Sequence, residues 1–410
     1  MANNNIITAI DIGTTSIKGL SVVKNPNSLE VVAKAVQQSF GVRKGVVIDV
    51  DEVSKKINQV ISQLQDESGE NIERVFININ GSHIFSTLSR GNIVISRADQ
   101  KISSEDIERV MQAAQTFSLP SNKEILDVFP CEFIVDGEGG VKEPLGMKGV
   151  RLEVEILALG ALSPYIQNLT NAVLNSSLQK IDDITLSSLA AARAVLTPQE
   201  KELGVYLIDI GAGTIGLSAF IEGNLIHAFV LPVGSSNITN DIAIGLKTSI
   251  EIAEKIKKEF VTCPIVKSKK RKKSAARSQN IRIELSDQES PLIFSPKKLT
   301  EIVEPRISEI FREINKEIKK VSSNHLFPAG VVLTGGGAKL PNIVEFAKNE
   351  LELPCRIGVL KELKGLEDDP AFSVVSGLIL DGVDLEDEEL PSIWPRIKSK
   401  LEKMFNKFKP

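Results

Sequence analysis

The chain is poor in the residues that build metal centres and disulfide frameworks. Its 410 residues include three cysteines and three histidines. Cys131, Cys263 and Cys355 are far apart and odd in number, so they give neither a disulfide framework nor a zinc pair, and they fit a reduced, cytosolic protein. His83, His227 and His325 are just as scattered, and no His–Ser or His–Cys pairing is visible along the chain. Long apolar runs are also missing. Stretches such as Ala329 to Leu333 fall far short of the roughly 20 residues that span a membrane. Met1 to Asn5 has no basic segment followed by an apolar one, so no secretory signal is expected. A net charge of −4 leaves no chain-wide basic field, and nucleic acid is not an expected partner.

What is present is ordinary soluble-protein material, 42% hydrophobic and 25% charged, long enough for two or three folding units. One internal echo organises it. Ile10-Asp11-Ile12-Gly13-Thr14-Thr15-Ser16-Ile17-Lys18-Gly19-Leu20-Ser21 resembles Ile208-Asp209-Ile210-Gly211-Ala212-Gly213-Thr214-Ile215-Gly216-Leu217-Ser218, nearly half the chain later. Each copy reads as a β-hairpin with a tight polar turn, and the spacing predicts two similar lobes rather than a solenoid. Helices are predicted over Asp51–Gln65, Ser163–Ser176, Leu186–Leu196, Thr239 to about Phe260, and Pro296–Val321. Another starts at Ser103-Ser104-Glu105-Asp106 and continues through Ile107 to Ala114. Strands are predicted at Val75–Ile79, Gly91–Ile95, Arg151–Gly160 and Val331–Leu333.

Turns rich in Gly and Thr expose successive backbone N–H groups that can close over an anion, and hydroxyls add donors. Asp11 and Asp209 each end the first strand of a hairpin. Two carboxylates facing across a cleft can hold a hydrated Mg²⁺. A third glycine-rich turn, Thr334-Gly335-Gly336-Gly337-Ala338-Lys339, follows a strand in the second half.

Together these motifs resemble the actin-like ATPase superfamily, with two phosphate loops and an adenosine loop in order. The resemblance implies an α/β, two-lobed, ribonuclease H-like fold with ATP and Mg²⁺ in the cleft. Ser235 to Leu246 followed by Ala253-Glu254-Lys255-Ile256-Lys257, the run Ile302-Val303-Glu304-Pro305-Arg306, and Asp369 to Leu378 are similar to the FtsA family of bacterial cell-division proteins. Nucleotide contacts are then implied at Asp11, Gly13, Thr14, Thr15, Lys18, Asp209, Gly211, Ala212, Gly213, Thr214, Gly234, Gly335, Gly336, Gly337 and Lys339. Glu254 and Lys257 are expected to flank the adenosine. The implied subdomains are residues 1–81 with 163–197 and 370–385, an α+β insertion at 82–162, 198–240 with 328–369, and 241–327. A linker at 386–391, within the acidic stretch Asp381–Leu390, leads to a terminal helix at 392–410.

Two departures bear on activity. The second hairpin commonly carries another Asp where this chain has Gly216, and an acid that could orient attacking water is replaced by Ser187. ATP binding with slow or absent hydrolysis is therefore expected, unless Asp182 or Asp183 takes that role.

The remaining motifs concern partners. At about 100° per residue, Ile393, Trp394, Ile397, Leu401, Met404, Phe405 and Phe408 share an arc of about 120°. Arg396, Lys398, Lys400, Lys403, Lys407 and Lys409 lie outside it. This pattern predicts a helix lying on anionic lipid of the inner membrane. The basic run Lys267–Arg277 reads as a solvated loop, or as a contact with anionic lipid or an acidic partner. Lys298 and Arg306 lie about 12 Å apart along one helix. By resemblance, this region docks the acidic C-terminal peptide of the tubulin-like FtsZ. The family also implies self-assembly into filaments or oligomers, other divisome partners, and a peripheral position on the cytoplasmic face at the division septum. Rival readings are a phosphotransferase of the same superfamily and an FtsA-like pilus-assembly protein, neither of which needs the amphipathic tail.

Overall fold

The computed structural model describes residues 6–116, 119–264, 280–283, 291–322 and 326–386. The basic run Lys267–Arg277, residues 387–391 of the linker and the apolar stripe from Ile393 to Phe408 lie outside them.

The chain opens with three antiparallel strands, β1 (Ile6–Ile12), β2 (Ser16–Asn25) and β3 (Ser28–Gln38). A small hairpin, β4 (Val42–Arg43) and β5 (Val46–Val47), leads to helix α1 (Val50–Ser68). Asp49 caps α1 by accepting from the Glu52 amide, and its stripe of Val53, Ile57, Val60, Ile61 and Leu64 is buried. Strand β6 (Arg74–Ile79) then lies parallel to β1. An insertion follows: β7 (Phe85–Val94), α2 (Ser104–Ala114), β8 (Lys123–Val135), β9 (Glu138–Val141) and β10 (Arg151–Leu162). Its sheet has the order β7-β10-β8-β9. Helix α2 starts at the expected place, where Ser103 and Asp106 form a capping box, and buries Ile107, Val110 and Met111 against that sheet. The strand expected at Gly91–Ile95 is the second half of the longer β7.

Helix α3 (Ser163–Leu174), β11 (Lys180–Leu186), α4 (Ser187–Val195) and α5 (Pro198–Leu203) complete the first half. The second half repeats the plan with β12 (Val205–Ile210), β13 (Ile215–Ile221) and β14 (Asn224–Leu231). Next come α6 (Ser235–Leu246), α7 (Ile250–Phe260), β15 (Ile281–Ile283), β16 (Leu292–Phe294) and α8 (Pro296–Ser322). The chain continues through β17 (Gly330–Thr334), α9 (Ile343–Leu351), β18 (Cys355–Ile357), β19 (Leu363–Lys364) and α10 (Ser373–Glu386).

The first sheet runs β11-β6-β1-β2-β3-β19 and the second β18-β17-β12-β13-β14. In each, an antiparallel hairpin triplet is extended by parallel strands on its first member. Strands β1 and β12 are almost wholly buried because helices cover both faces. Alternate residues of β12 serve two cores: Val205 and Leu207 face the first, Tyr206, Ile208 and Ile210 the second.

Three expectations are corrected. The helix predicted from Thr239 to Phe260 is two helices. Lys247 takes a left-handed conformation (φ 54°), and Ser249 caps the new start by accepting from the Ile252 amide. Apolar periodicity runs across the break, which is why it hid the corner. Residues 363–364 pair with β3 of the first sheet, so the stretch 328–369 does not belong wholly to the second lobe. Glu386, expected as the first residue of the linker, is the last residue of α10.

Candidate functional site

The two echoed hairpins bring their turns together. Gly13 N–H donates to Ser16 O (3.1 Å) and Gly211 N–H to Thr214 O (2.9 Å), closing each turn on itself. The amides of Thr14, Thr15, Ala212 and Gly213 donate to no other described residue. Gly213 packs so tightly on the first turn that a Cβ there would lie 2.6 Å from Thr14 Oγ1. Across the lobes, Asn80 Nδ2 donates to Thr214 Oγ1 (3.1 Å). A nest of free N–H donors therefore lies where the lobes meet.

Below the turns lie the two carboxylates, each only 6% exposed. Asp11 is fully engaged: Oδ2 accepts from Lys18 Nζ (2.9 Å) and Oδ1 from Asn78 Nδ2 (2.9 Å). Asn78 in turn accepts from Ile12 N (2.7 Å) and donates to Ser187 Oγ (2.9 Å). Asp209 differs, because no described residue donates a hydrogen bond to it. Burial, and then the Asp11 charge, push its carboxyl up to about 7, against a smaller opposing pull from Lys18. A buried carboxylate with no donor, beside a second carboxylate, suits a cation. Mg²⁺ bound through one or two carboxylates plus substrate phosphates matches this donor set. No group of three or more His, Cys, Asp or Glu side chains that could hold a metal ion occurs among the described residues.

The third glycine turn packs against the second carboxylate. Gly335 has φ 84°, and a Cβ there would sit 2.3 Å from Asp209 Oδ1, so only glycine lets the turn approach the carboxylate. Gly336, Gly337 and Ala338 form a short 3₁₀ turn that ends at Lys339. The Lys339 ammonium is held by Asp369 (2.8 Å). The start of α6 is docked on the second hairpin turn: Ser235 N–H donates to Gly211 O and Ser236 N–H to Ala212 O (both 2.9 Å). Gly234 N–H donates to Asn237 Oδ1 (3.1 Å).

Glu254 and Lys257 brace α7 against α6. Thr239 Oγ1 donates to Glu254 (2.6 Å), and Lys257 Nζ donates to Thr239 Oγ1 (2.9 Å) and pairs with Glu254 (2.7 Å). Lys257 is 7% exposed. Burial lowers its pKa against the opposing Glu254 charge. Burial acts to raise the pKa of Glu254, but its bonds from Lys257 and Thr239 outweigh that and leave it below the usual range.

The two departures have structural consequences. Ser187 is buried and bonded to Asn78 and to Ile79 O, so a hydroxyl fills the expected acid's place. A Cβ at Gly216 would already lie 2.9 Å from Ser188 Cβ. Asp182 is tied to Lys180 (2.6 Å) and Arg74 (3.4 Å). Asp183 sits opposite Phe76, below the strand end where Asp11 lies. Neither supplies the missing carboxylate at the turns.

The expected docking pair is split. Both residues lie on α8, and Lys298 is exposed. Arg306 is already clamped: its Nε and Nη2 donate to Asp241 of α6 at 2.6 and 3.1 Å, and Nη1 bonds Glu309. The hydrogen bonds from Arg306 to Asp241 raise the guanidinium pKa further.

Residues missed by reading the sequence are Asn78, Asn80 and the β4–β5 hairpin, whose Gly45 N–H donates to Thr14 Oγ1 (3.0 Å). The available signal was Asn78 inside, and Asn80 just beyond, a mostly apolar strand.

Two like sheets, paired hairpin turns and a glycine turn between them define a two-lobed protein of the actin-like class. Solved structures agree on the fold. The chain superposes on the structure titled PilM–PilN type IV pilus biogenesis complex with TM-score 0.63 at 16% identity, covering 92% of this chain and 98% of that one. It superposes on MreB5 of Spiroplasma citri bound to ADP with TM-score 0.54 at 14% identity, covering 94% and 99%. The family is narrower. Residues 206–377 match the model for cell division protein FtsA, and 81–159 match the SHS2 domain inserted in FtsA. The FtsA of Pseudomonas aeruginosa is 36% identical over 387 residues, 93% of this chain and 90% of the relative. The chain belongs to the FtsA family of cell division proteins.

Proposed function

We propose that this chain binds Mg²⁺–ATP between its lobes and acts as an adaptor in division, tethering FtsZ filaments to the cytoplasmic face of the inner membrane and assembling with itself. The observation that carries the nucleotide reading is the unpartnered Asp209 carboxylate beneath two turns with free amides. In this reading the amides of Thr14, Thr15, Ala212 and Gly213 would bind phosphate oxygens, and Asp11 and Asp209 would hold the metal. Asn78 and Lys18 fix the orientation of Asp11. The metal neutralises phosphate charge when bound. With Ser187 where a carboxylate would orient water, turnover is slow or absent. Family membership supports the role in division, and the tail pattern from Ile393 to Phe408 supports the membrane contact. No described helix is long and apolar enough to cross a membrane.

Docking of the FtsZ peptide on α8 requires its carboxylates to meet Lys298 and to share or displace Asp241 on Arg306. The test uses the full chain with anionic vesicles and a fluorescent FtsZ tail peptide. Trp394→Glu with Phe405→Glu should abolish vesicle binding and leave peptide binding intact. Lys298→Gln with Arg306→Gln should do the reverse. Gln avoids placing a new acid against Asp241 and Glu309. The adaptor reading fails if either pair of substitutions leaves its own ligand bound.

A further inference from the structure

The small hairpin β4–β5 has no role in the reading above, yet its tip reaches both phosphate turns. Its turn residues are Lys44 and Gly45, with φ 50° and 75°. This is the geometry of a two-residue primed turn, where Asn-Gly is favoured. A lysine there is held against its backbone preference. Three contacts hold it. Gly45 N–H donates to Thr14 Oγ1 of the first turn (3.0 Å). The Lys44 Cα would lie 3.1 Å from a Cβ on Gly213 of the second turn. At the base, Val42 and Val47 are buried, and Asn168 of α3 donates to Val47 O (3.4 Å).

The charges around the site set Lys44 apart. Lys18 is paired with Asp11, Lys339 with Asp369, and Lys257 with Glu254. Lys44 is exposed and forms no ion pair among the described residues. The start of α6 covers Gly211 and Ala212, and Gly335 covers Asp209. Lys44 meets the next residue of the same turn, Gly213, on the side facing the first lobe. It therefore meets the donor nest at Gly213 and, through Gly45, at Thr14, on the side of the first lobe.

We propose that Lys44 binds the terminal phosphate of a nucleoside triphosphate and makes the site prefer triphosphate over diphosphate. The proposal rests on the nucleotide reading above. An ammonium on a long flexible stem, free of any carboxylate, supplies the charge that the paired lysines cannot. Because its hairpin touches both turns, the contact would also favour the closed arrangement of the lobes.

The test measures affinity of the full chain, with Mg²⁺, for fluorescent ATP and ADP analogues. Lys44→Asn removes the charge while keeping a residue that tolerates positive φ. It should weaken ATP about ten-fold or more, the scale of one charge-assisted hydrogen bond, and leave ADP within about two-fold. Lys44→Arg should restore most of the ATP preference. If the unaltered chain binds neither analogue, the nucleotide reading itself has failed. If the unaltered chain binds both and Lys44→Asn changes neither, or weakens both equally, the nucleotide reading survives and the role of Lys44 is refuted.

Discussion

Replacing Asp209 with Asn should make the ligand-free protein more stable while destroying its metal site. The carboxyl is buried beside Asp11 and has no hydrogen-bond donor, so its ordinary ionisation at 3.8 is pushed up to about 7. The folded chain keeps this proton to higher pH than the unfolded chain does. Stability therefore falls as pH rises from about 4 to about 7, and the full penalty applies above that window. At about 1.4 kcal/mol per pH unit, the penalty approaches 4 kcal/mol, and water entering the cleft reduces it to about 2–4 kcal/mol. Asp209→Asn removes the ionisation at nearly constant volume. In EDTA at pH 8 its melting temperature should exceed that of the parent by about 2–5 °C, given the unfolding entropy of a chain this size. At pH 4.5, where about a quarter of the penalty remains, the offset should shrink to about 1 °C or less. Thermal melts of both proteins across pH 4.5–8 measure this directly. A variant less stable than the parent at pH 8, or an offset independent of pH, would refute the claim that Asp209 is held as a strained, unpartnered acid.

Other predictions follow from neighbouring contacts. Asn78→Ala leaves Ile12 N and Ser187 short of a partner and frees Asp11; denaturant unfolding should show a loss of about 2–3 kcal/mol, with Mg²⁺–ATP affinity reduced. Asp241→Ala breaks the clamp on Arg306, a partly buried pair, and should cost about 1 kcal/mol in stability. If the peptide reading is right, the same change tightens FtsZ peptide binding in fluorescence anisotropy, since the guanidinium no longer has an internal competitor. Salt should weaken vesicle binding by the tail only in part, because the apolar stripe is not screened; complete release of the full chain at high salt in a flotation assay would contradict that.

How much was legible in the sequence depended on whether a signal was local. The Asp-Ile-Gly echo is local, and it revealed both hairpins, the two-lobed plan and the facing carboxylates. Periodicity found α8 to within one residue and α1 to within three, because each has a single buried stripe. Pattern failed where two signals competed. Apolar spacing continued through Lys247, although Ser249 with Glu251 behind it already marked a new helix start. Long-range pairings carried no local mark at all: β19 joining β3, Arg306 meeting Asp241, and Gly45 reaching Thr14. Asn78 was visible only as a polar residue in an apolar strand, and its purpose emerges once Asp11 and Ser187 are seen on either side of it.

The central claim is that the two turns and two carboxylates form one Mg²⁺-dependent nucleotide site. Calorimetric titration of the full chain with ATP, with and without Mg²⁺, tests it most directly. The account predicts one ATP per chain and binding that Mg²⁺ strengthens markedly. No heat of binding, or an affinity unchanged by removing Mg²⁺, would contradict it.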